Sequence, residues 1–556
     1  MATFLLEIGT EELPADFAHL ALHQLEALVE RDLREARLEG GAISTTGTPR
    51  RLAVSVAELP LRQQDHVQER KGPPAAQAFR DGIPTAAALG FAARCGVEPG
   101  ELELRETAKG PFVFARCTET GRASCEVLAE AIPRWLAALQ GRRFMRWGEG
   151  EIRFARPVRW LVALLDQDVI PVTLTGSDPE VQAGRCSRGH RLMSQEVPIA
   201  SADRYAATLR QAGVEVHRDR RAAAIREAVE AAADALGARA DLPDELAAEL
   251  TDLVESPLLL EGAVAERYLA LPAEVLSTVM RSHQRYVPLY RRGALLDPLA
   301  LDAHASLLPR FLCVGNGLPE ATATVRRGNE RVLKARLADA EFFVQADRAV
   351  ASIDRRDQLA RVTFAEGLGS LLDRVERLEW FTDVLLASLP LPLANADHAR
   401  RAAHLCKHDL VSQMVAEFPE LQGVIGGKYL LAEGEPRPVA QAVQEHYLPR
   451  GAGDSLPASA AGAVVALAER LELLLSIFAK GERSSGSSDP YALRRAANGM
   501  LQILWSQGWQ LDLMALLKRA AGHWTELFPH FALQPSALAG DLAEFLRQRL
   551  LSLLEE

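Results

Sequence analysis

The spacing of hydrophobic positions divides this chain of 556 residues into two parts. In the first part, short apolar runs at residues 4–8 and 311–314 predict β-strands, and an Ala-rich segment at residues 219–236 predicts a helix. After residue 347 the apolar positions recur almost wholly at helical spacing. The pattern therefore predicts a multidomain α+β protein, in which a mixed α/β N-terminal half is followed by an all-helical half.

Residues 1–60 predict a β-α-β unit. Their first apolar strand is followed by acidic residues and Pro14, which suit the first turn of a helix because carboxylates favour its positive end. A second strand then follows a turn and has Arg50 and Arg51 at its entry. Further along the chain, the polar sequence QERKGPP at residues 68–74 predicts a loop.

Residues 325–347 predict a helix that links the two parts of the chain. Gly328 and Asn329 predict where it begins, since Gly interrupts helices and Asn is a good N-cap. Four apolar residues at helical spacing predict a buried stripe: Leu333, Leu337, Ala340 and Val344. Three cations share a different face: Arg327, Arg331 and Lys334. Such a face suits a phosphate-rich partner, although ordinary solvated helices carry similar faces.

Basic and aromatic residues are interleaved in two further segments. Within residues 143–160 the arginines that alternate with Phe and Trp include Arg146, Arg156 and Arg159. The helix predicted for residues 271–288 ends in a basic cluster: Arg281, His283 and Arg285. Interleaved basic and aromatic side chains can grip phosphates and stack bases. They also fit the outer and inner faces of a half-buried element, so both interpretations stay open.

The charge of the chain limits which partners its global field attracts. With 63 basic and 74 acidic residues the formal net charge is −11, which repels a polyanion at long range. Any binding of nucleic acid must therefore come from local basic patches. The 6 cysteines are widely separated and include no CxxC pair, which argues against a disulfide framework and a zinc knuckle. This usage predicts a reduced, cytoplasmic compartment.

The adjacent residues His408 and Asp409 form a candidate metal motif. In HD-type phosphohydrolases, His and Asp side chains from several helices hold a divalent ion. A histidine is available upstream, but the downstream helix offers Glu469 and Glu472 where a further Asp is expected. The sequence therefore predicts a degenerate HD motif that holds no metal. A metal-dependent phosphohydrolase acting on nucleotides or RNA is the alternative function.

Motifs for catalysis are absent from the sequence. It contains no GxxxxGK[ST], GxSxG or HExxH, and no Gly-rich turn between a strand and a helix. We therefore predict no catalytic residue in this chain.

Nine stretches, taken together, resemble one family over essentially the whole chain. They are FLLEIGTEELP (residues 4–14), TPRRLAV (48–54), MRW with FARPVRW (145–160), GHR (189–191), LPAEVL with HQRYVP (271–288), GNERVLKARLADAEFF (328–343), LGSLLDRVER (368–377), EFPELQG (417–423) and DPYALRRAA (489–497). In this combination and order the chain resembles the β subunit of the heterotetrameric bacterial glycyl-tRNA synthetase.

The resemblance implies an α2β2 enzyme that ligates glycine to tRNA(Gly) through glycyl-adenylate. The α subunit would carry the active site and use ATP and magnesium, whereas the β subunit would bind tRNA and no cofactor, membrane or DNA. The basic candidates then become tRNA contacts: Arg50, Arg51, Arg146, Arg156, Arg159, Arg281, His283, Arg285, Arg327, Arg331 and Lys334.

The resemblance also implies four regions. These are an N-terminal α+β region (residues 1–195), a second α+β region ending in the basic helix (196–346), an HD-like helical domain without hydrolase chemistry (347–485) and a C-terminal helical region (486–556). Family members usually continue into a helical anticodon-binding domain. The last region is therefore expected to be the beginning of such a domain, cut short.

Overall fold

The computed structural model describes residues 1–483 and 489–555, which group into two compact units. Unit 1 comprises Met1–Ala232, Leu242–Leu260 and Cys313–Arg326. Unit 2 comprises Ala233–Asp241, Glu261–Leu312 and the described residues of Arg327–Glu556. The four predicted regions stay predictions, and the boundary between residues 485 and 486 lies outside the described residues.

The strands, in chain order, are β1 (Ala2–Thr10), β2 (Ile43–Thr48), β3 (Arg51–Leu59), β4 (His66–Pro74), β5 (Phe79–Arg80), β6 (Ile83–Pro84), β7 (Glu103–Thr107), β8 (Gly110–Glu119), β9 (Val158–Leu165), β10 (Asp168–Val169), β11 (Thr173–Leu174), β12 (Val181–Gly184), β13 (Cys186–Arg188), β14 (Glu196–Pro198), β15 (Ala238–Ala240), β16 (Pro257–Ala263), β17 (Val287–Arg291) and β18 (Leu307–Asn316).

The helices, in chain order, are α1 (Ala15–Glu35), α2 (Ala75–Ala78), α3 (Ala86–Cys95), α4 (Ser124–Ala138), α5 (Tyr205–Gln211), α6 (Arg218–Ala235), α7 (Asp244–Leu253), α8 (Ala273–Thr278), α9 (Thr322–Arg348), α10 (Ser352–Gln358), α11 (Leu371–Ser388), α12 (Leu393–Leu405), α13 (Gln413–Glu417), α14 (Val424–Ala432), α15 (Arg437–Glu445), α16 (Ala460–Ala479), α17 (Leu493–Gln507), α18 (Leu513–Leu527) and α19 (Pro535–Glu555).

This succession confirms a mixed α/β part followed by a helical part. Among the described residues every strand precedes α9, and only helices and turns follow it apart from one isolated bridge. The HD-like identity of the helical part stays a prediction. Within the same residues, no helix combines the length and the apolar character that crossing a membrane requires.

Strand β1 forms the centre of unit 1 because both of its faces are buried. It lies antiparallel between β3 and β9 in a sheet of order β11-β12-β9-β1-β3-β2, with β10 beside β9. On one face its even-numbered apolar residues pack against α1 and α4. On the other face Leu5 packs with Tyr205, and Glu7 follows on that face because side chains alternate along a strand.

A smaller antiparallel sheet in unit 1 has the order β4-β8-β7, and α3 packs on one of its faces. The loop predicted for residues 68–74 is wrong, because this segment belongs to β4. Its backbone pairs with β8 from His66 opposite Glu119 to Pro74 opposite Phe112. Ladder hydrogen bonds therefore outweigh the Gly-Pro signal, and Pro is tolerated because β4 is an edge strand.

Unit 2 is built around α16. This helix is buried along nearly its whole length and is apolar on almost every side, as expected for a helix enclosed by others. Helices α11, α12, α15 and α17 pack against it. In the same unit, β17 pairs antiparallel with β15 and with β18.

Helix α9 begins earlier than the sequence predicts. It runs from Thr322 to Arg348 without a break at Gly328 or Asn329, so the predicted start is wrong. One glycine costs a helix only about 1 kcal/mol relative to alanine, which the remaining turns offset. The apolar stripe is confirmed, because all four of its residues are buried: Leu333, Leu337, Ala340 and Val344.

The helix predicted for residues 271–288 is shorter in the structure. Helix α8 ends at Thr278, a π-helical turn follows over Val279–His283, and β17 begins at Val287. Arg285 has a φ of 55°, a left-handed conformation that ends the helical path. The basic cluster of this segment therefore lies on a turn rather than on a regular helix.

Replacing Gly328 by alanine is expected to raise the free energy of unfolding by about 0.5–1 kcal/mol. Gly328 is exposed within α9, and a Cβ there meets nothing within 4 Å. Gly434 is the matched control: its surroundings are equally open, but its φ of +95° strains an alanine. Urea unfolding followed by circular dichroism should give a higher midpoint for Gly328→Ala and a lower one for Gly434→Ala. A lower midpoint for Gly328→Ala would contradict an uninterrupted α9.

Candidate nucleic-acid interface

Side chains from well-separated stretches of unit 1 meet in a buried polar cluster. We call it the Glu7 cluster, and its members are Glu7, Thr48, Arg51, Trp160, Ser187 and Glu255. They come from β1, β2, β3, β9, β13 and the segment after α7, and all of them are buried. A buried charge must be paired and hydrogen-bonded to be tolerated. The pairing inside this cluster therefore decides which arginines stay available to a ligand.

Arg51 lies at the centre of the Glu7 cluster and is 0% exposed. Its Nε and Nη2 donate to Glu255 Oε1 at 3.2 and 2.9 Å, and its Nη1 lies 3.6 Å from Glu7 Oε2. Burial alone would lower the pKa of Arg51, but the carboxylates of Glu255 and Glu7 raise it above its usual value. This corrects the assignment of Arg51 as a tRNA contact, because these partners enclose its guanidinium.

Trp160 closes the Glu7 cluster on one side. Its Nε1 donates to Glu7 Oε1, and Ser187 Oγ donates to the same oxygen at 2.6 Å. The backbone of Gly9 lies against the indole ring, so that a Cβ at this position would come within 1.9 Å of ring atoms. Only glycine leaves room for Trp160 here, so packing explains the glycine at position 9.

Two arginines form the rim of the Glu7 cluster. The Cζ atoms of Arg50 and Arg188 lie 5.6 and 4.9 Å from the Trp160 ring centroid, within cation–π range. The side chain of Arg50 is 13% exposed, and its Nη1 is 3.8 Å from Glu255 Oε2 and forms no hydrogen bond. Burial lowers the pKa of Arg50, and the guanidinium groups of Arg51 and Arg188 lower it further against the opposing effect of Glu255. The rim therefore concentrates positive charge.

Sequence reasoning did not assign Arg188 or Glu255 to this region. Arg188 had a visible signal, because it belongs to the basic sequence SRGHR at residues 187–191. Glu255 had none, since 204 residues separate it from the arginine that it binds.

The aromatic residues of segment 143–160 face the interior. Three of its rings are buried: Trp147, Phe154 and Trp160. Arg146 is exposed, Arg156 is half-buried and donates to a neighbouring carbonyl, and Arg159 Nε donates to Glu11 Oε1 at 2.8 Å. The structure thus favours the inner and outer faces of a half-buried element, and these rings are not available to stack on bases.

In unit 2 the basic cluster around the π-helical turn is partly engaged. Arg281 Nη1 lies 3.1 Å from Asp241 Oδ2. The His283 ring packs against Phe418 with a centroid distance of 5.0 Å. Arg285 is exposed, and its Nη1 donates to the carbonyl of His283 at 3.3 Å.

Helix α9 exposes its predicted cations while its backbone is anchored. Arg327, Arg331 and Lys334 are all exposed. Neither Arg331 nor Lys334 forms a side-chain hydrogen bond or ion pair with any residue that the structure describes. Tyr268 Oη donates to the Lys334 carbonyl at 3.2 Å, and Glu330 Oε1 accepts from the backbone of β16 at 2.9 Å. These contacts fix the backbone of the helix, and the side chains of Arg331 and Lys334 stay exposed.

His408 and Asp409 are fully buried and bonded mainly to backbone. Asp409 Oδ2 accepts from the N–H groups of Gly423 and Gly426 at 2.6 and 3.1 Å. His408 Nε2 lies 3.1 Å from the Gly426 carbonyl oxygen, and its Nδ1 lies 3.3 Å from Arg355 Nε. Burial lowers the pKa of His408 to about 3 and raises the pKa of Asp409 to about 6. The pair holds the N-terminal turn of α14.

Internal cations hold the two glutamates that stand where a metal-binding Asp was expected. Lys407 Nζ lies 2.8 Å from Glu469, and Arg374 bridges Glu469 and Glu472 at 3.0 and 2.7 Å. Arg377 Nε donates to Glu472 at 2.8 Å. Burial would raise the pKa of Glu469, but Arg374 and Lys407 lower it below its usual value. In the described parts of the chain, no group of three His, Cys, Asp or Glu side chains is arranged to hold a metal.

The chain is similar to named proteins over its whole length. A family model described as the glycyl-tRNA synthetase beta subunit matches residues 4–556. The glycine–tRNA ligase beta subunit of Acaryochloris marina is 45% identical over 100% of this chain and 76% of the relative. That of Moorella thermoacetica is 43% identical over 99% of this chain and 78% of the relative. This chain therefore spans about three quarters of the length of these relatives.

Replacing Arg51 by methionine is expected to lower the free energy of unfolding by about 3–5 kcal/mol. Glu7 would be left buried without a cation, and Glu255 would keep only the more distant Arg50. Arg50→Met is the matched control at the adjacent rim position, and we expect a smaller loss there. Adding Glu255→Leu to Arg51→Met should recover part of the loss, since it removes one unpaired carboxylate. Urea unfolding followed by tryptophan fluorescence measures all three variants. Equal stability of Arg51→Met and Arg50→Met would refute the central role of Arg51.

Single substitutions at His408 and Asp409 are expected to change the pH dependence of stability in opposite directions. The folded-state pKa of His408 is lowered to about 3, so the unfolded state takes up a proton first and stability is lost as pH falls below about 6.5. The folded-state pKa of Asp409 is raised to about 6, so stability is gained as pH falls from about 6 toward 4. Each effect has an upper limit of about 1.4 kcal/mol per pH unit.

Thermal or urea unfolding between pH 7 and pH 5 distinguishes the two contributions. His408→Gln should lose less stability on acidification than the unsubstituted chain, and Asp409→Asn should lose more. Arg355 and Lys407, the charged neighbours of the pair, are kept in both variants. If stability changes with pH in both variants as it does in the unsubstituted chain, neither pKa is shifted in the folded chain.

Proposed function

The chain belongs to the glycyl-tRNA synthetase beta subunit family, and we propose that it is the tRNA-binding, non-catalytic subunit of a glycine–tRNA ligase. As a component of an aminoacyl-tRNA synthetase it is part of a ligase, which favours this function over a metal-dependent phosphohydrolase. In this proposal it assembles as α2β2 with an α subunit that forms glycyl-adenylate from ATP with Mg²⁺. It binds tRNA(Gly), no cofactor of its own, no DNA and no membrane, and it works in the cytoplasm.

The observation that carries tRNA binding is the exposed cationic face of α9. The chain has a net charge of −11, so its global field repels RNA and attraction must be local. Arg331 and Lys334 supply it, because no described acidic side chain neutralises them. The anchored backbone of α9 holds both cations on a rigid element, which reduces the ordering that binding requires.

The rim of the Glu7 cluster supports a further contact with tRNA. The Cζ atoms of Arg50 and Arg188 both lie within cation–π range of the Trp160 ring, and the side chain of Arg188 is exposed. A phosphate at this rim would relieve the repulsion between the guanidinium groups and accept hydrogen bonds from them. Arg51 would take part only indirectly, by neutralising the buried carboxylates below.

The proposal also assigns residues 347–485 to an HD-like helical domain that has no hydrolase chemistry. Support comes from Lys407, Arg374 and Arg377, which bind Glu469 and Glu472. In an active site of the HD type a divalent metal would provide the positive charge. Internal cations provide it here, so the glutamates are neutralised without a metal.

The purified chain alone is expected to show no glycine-dependent exchange between ATP and pyrophosphate. The physical reason is that glycine activation needs an ATP site, which this proposal places on the α subunit. Exchange should appear with the α subunit, and transfer of glycine to tRNA(Gly) should require both subunits. Robust exchange catalysed by this chain alone would refute the assignment of glycine activation to the α subunit.

Changing Arg331 and Lys334 together to glutamine is expected to weaken tRNA binding at fixed salt. The plot of log affinity against log salt should flatten by about 1.8, since each contact with a duplex phosphate contributes about 0.9. Glutamine has a helix propensity close to that of Arg and Lys, so the melting temperature should not change. Fluorescence anisotropy with labelled tRNA at several salt concentrations measures both quantities.

A matched control removes the same amount of charge from arginines that acidic side chains already neutralise. Arg400 and Arg547 are exposed in unit 2 and lie 2.8 Å from Asp383 and Glu544. Arg400→Gln with Arg547→Gln should leave the salt slope unchanged. An equal flattening in the control and in the α9 variant would assign the effect to net charge and count against an RNA contact on α9.

A further inference from the structure

The β4-β8-β7 sheet of unit 1 has two faces of different character. One face packs on α3 through Val113, Ala115 and Cys117. Side chains alternate along a strand, so the intervening residues of β8 lie on the opposite face: Phe112, Phe114 and Arg116. The opposite face therefore presents two aromatic rings from the middle strand of the sheet. We call it the Phe112 face.

The two rings are partly open to solvent and contact cations. Phe112 and Phe114 are half-buried, and neither belongs to the core that β8 shares with α3. Lys71 Nζ lies 3.6 Å from the centroid of the Phe112 ring. Arg105 Cζ lies 5.4 Å from the centroid of the Phe114 ring. The Phe112 face therefore presents two half-buried rings together with cations to the solvent.

The charged residues of the Phe112 face leave a positive excess. They are Lys71, Arg105, Arg116, Glu69 and Glu103, which the strand register places around the rings. Arg105 pairs with Glu69 at 2.6 Å and also with Glu103, and Arg116 lies 3.7 Å from Glu103. Lys71 forms no ion pair with any described residue. Three cations minus two carboxylates give +1 on a chain whose net charge is −11.

This combination fits RNA better than a protein partner. Sheets that recognise RNA use aromatic side chains on their open face to stack bases, while neighbouring cations meet the phosphates. The centre of a protein–protein interface is instead depleted of charged residues. Here a cation lies over each ring. Lys71, which forms no ion pair with a described residue, is free to leave the Phe112 ring for a phosphate when a base takes its place on the ring.

We propose that the Phe112 face binds unpaired nucleotides of RNA, with bases stacked on Phe112 and Phe114 and phosphates at Lys71 and Arg116. The nucleotides are unpaired because stacking on a side chain needs a base face that a duplex does not offer. The inference rests on the proposed function, since tRNA supplies the RNA. It adds to the proposed function that unpaired nucleotides are bound, and that they bind on a surface other than α9.

The test uses the chain of 556 residues, a labelled single-stranded RNA octamer and an RNA duplex of the same length. Phe112→Leu with Phe114→Leu keeps the sheet apolar but removes both rings. We expect the affinity for the single strand to fall about tenfold or more, with an unchanged salt slope because stacking releases no counterions. Duplex binding should not change. Phe112→Tyr with Phe114→Tyr should keep the affinity, since tyrosine retains the ring.

Two further variants complete the test: Lys71→Gln measures the contribution of charge, and Leu104→Ala controls for damage to the sheet. Lys71→Gln should flatten the salt slope for the single strand by about 0.7. Leu104→Ala should have no effect on binding, because Leu104 is 56% exposed but pairs with Val113 on the face toward α3. Melting temperatures should be equal in all variants.

Three results would overturn the inference or its premise. Unchanged affinity of the Leu double variant for the single strand would remove the Phe112 face from RNA binding while tRNA binding through α9 stands. If the Leu double variant no longer associates with the α subunit while its RNA affinity is unchanged, the Phe112 face is a protein interface. A chain that binds no tRNA at all would instead refute the proposed function.

Discussion

A carboxylate on the central strand of unit 1 constrains how this unit can be assembled. Glu7 lies on a strand with two buried faces, and burying an unpaired carboxylate costs several kcal/mol. Arg51 and Trp160 approach it from the two neighbouring strands. Glu255 also binds Arg51, and Arg50 at 3.8 Å supplies the second positive charge for the two carboxylates. Strands β1, β3 and β9 and the segment after α7 therefore have to come together for any of these charges to be tolerated.

Unit 2 meets the same constraint with the charges arranged differently. Its carboxylates, Glu469 and Glu472, lie on the central helix, and the cations come from α11 and from Lys407. Pairing of this kind sorts the basic residues of each unit into two groups. One group is enclosed and neutralises buried acids. The other is exposed, and only those of its members that no acidic side chain neutralises are available to a polyanion. Basic residues of both groups look alike in the sequence.

The sequence predicted those features that depend on periodicity within one element. The stripe on α9, the strand β1 and the change to helices after residue 347 follow from spacings of a few residues, and the structure shows each of them. Local breaker signals were less reliable. Gly328 does not interrupt α9, and the Gly-Pro sequence at the end of β4 does not prevent strand pairing, because hydrogen bonds and packing outweigh them.

The candidate site was harder to predict, because long-range pairing decides exposure. Arg50 and Arg51 are adjacent and chemically identical, and both lie near Glu255, a partner with no local signal, yet Arg51 is enclosed and hydrogen-bonded to it whereas Arg50 lies at the rim. Arg50 lies in the turn before β3 and Arg51 is the first residue of that strand. Both therefore approach Trp160 and Glu255 and differ only in how deeply they are enclosed. For most basic side chains of the predicted interface, exposure can be judged only when the distant residue that pairs with them is known.

The enclosed state of Arg51 has a consequence for genetic work on this subunit. A screen that scores growth or total charging of tRNA would record substitutions at Glu7, Arg51 or Glu255 as strongly defective, although none of these side chains needs to touch the substrate. Their effect would appear in the amount of folded subunit, since a loss of a few kcal/mol raises the unfolded fraction that proteases remove. Affinity per surviving molecule would be preserved. Abundance and affinity therefore have to be measured separately before any residue of these sequence motifs is assigned to recognition.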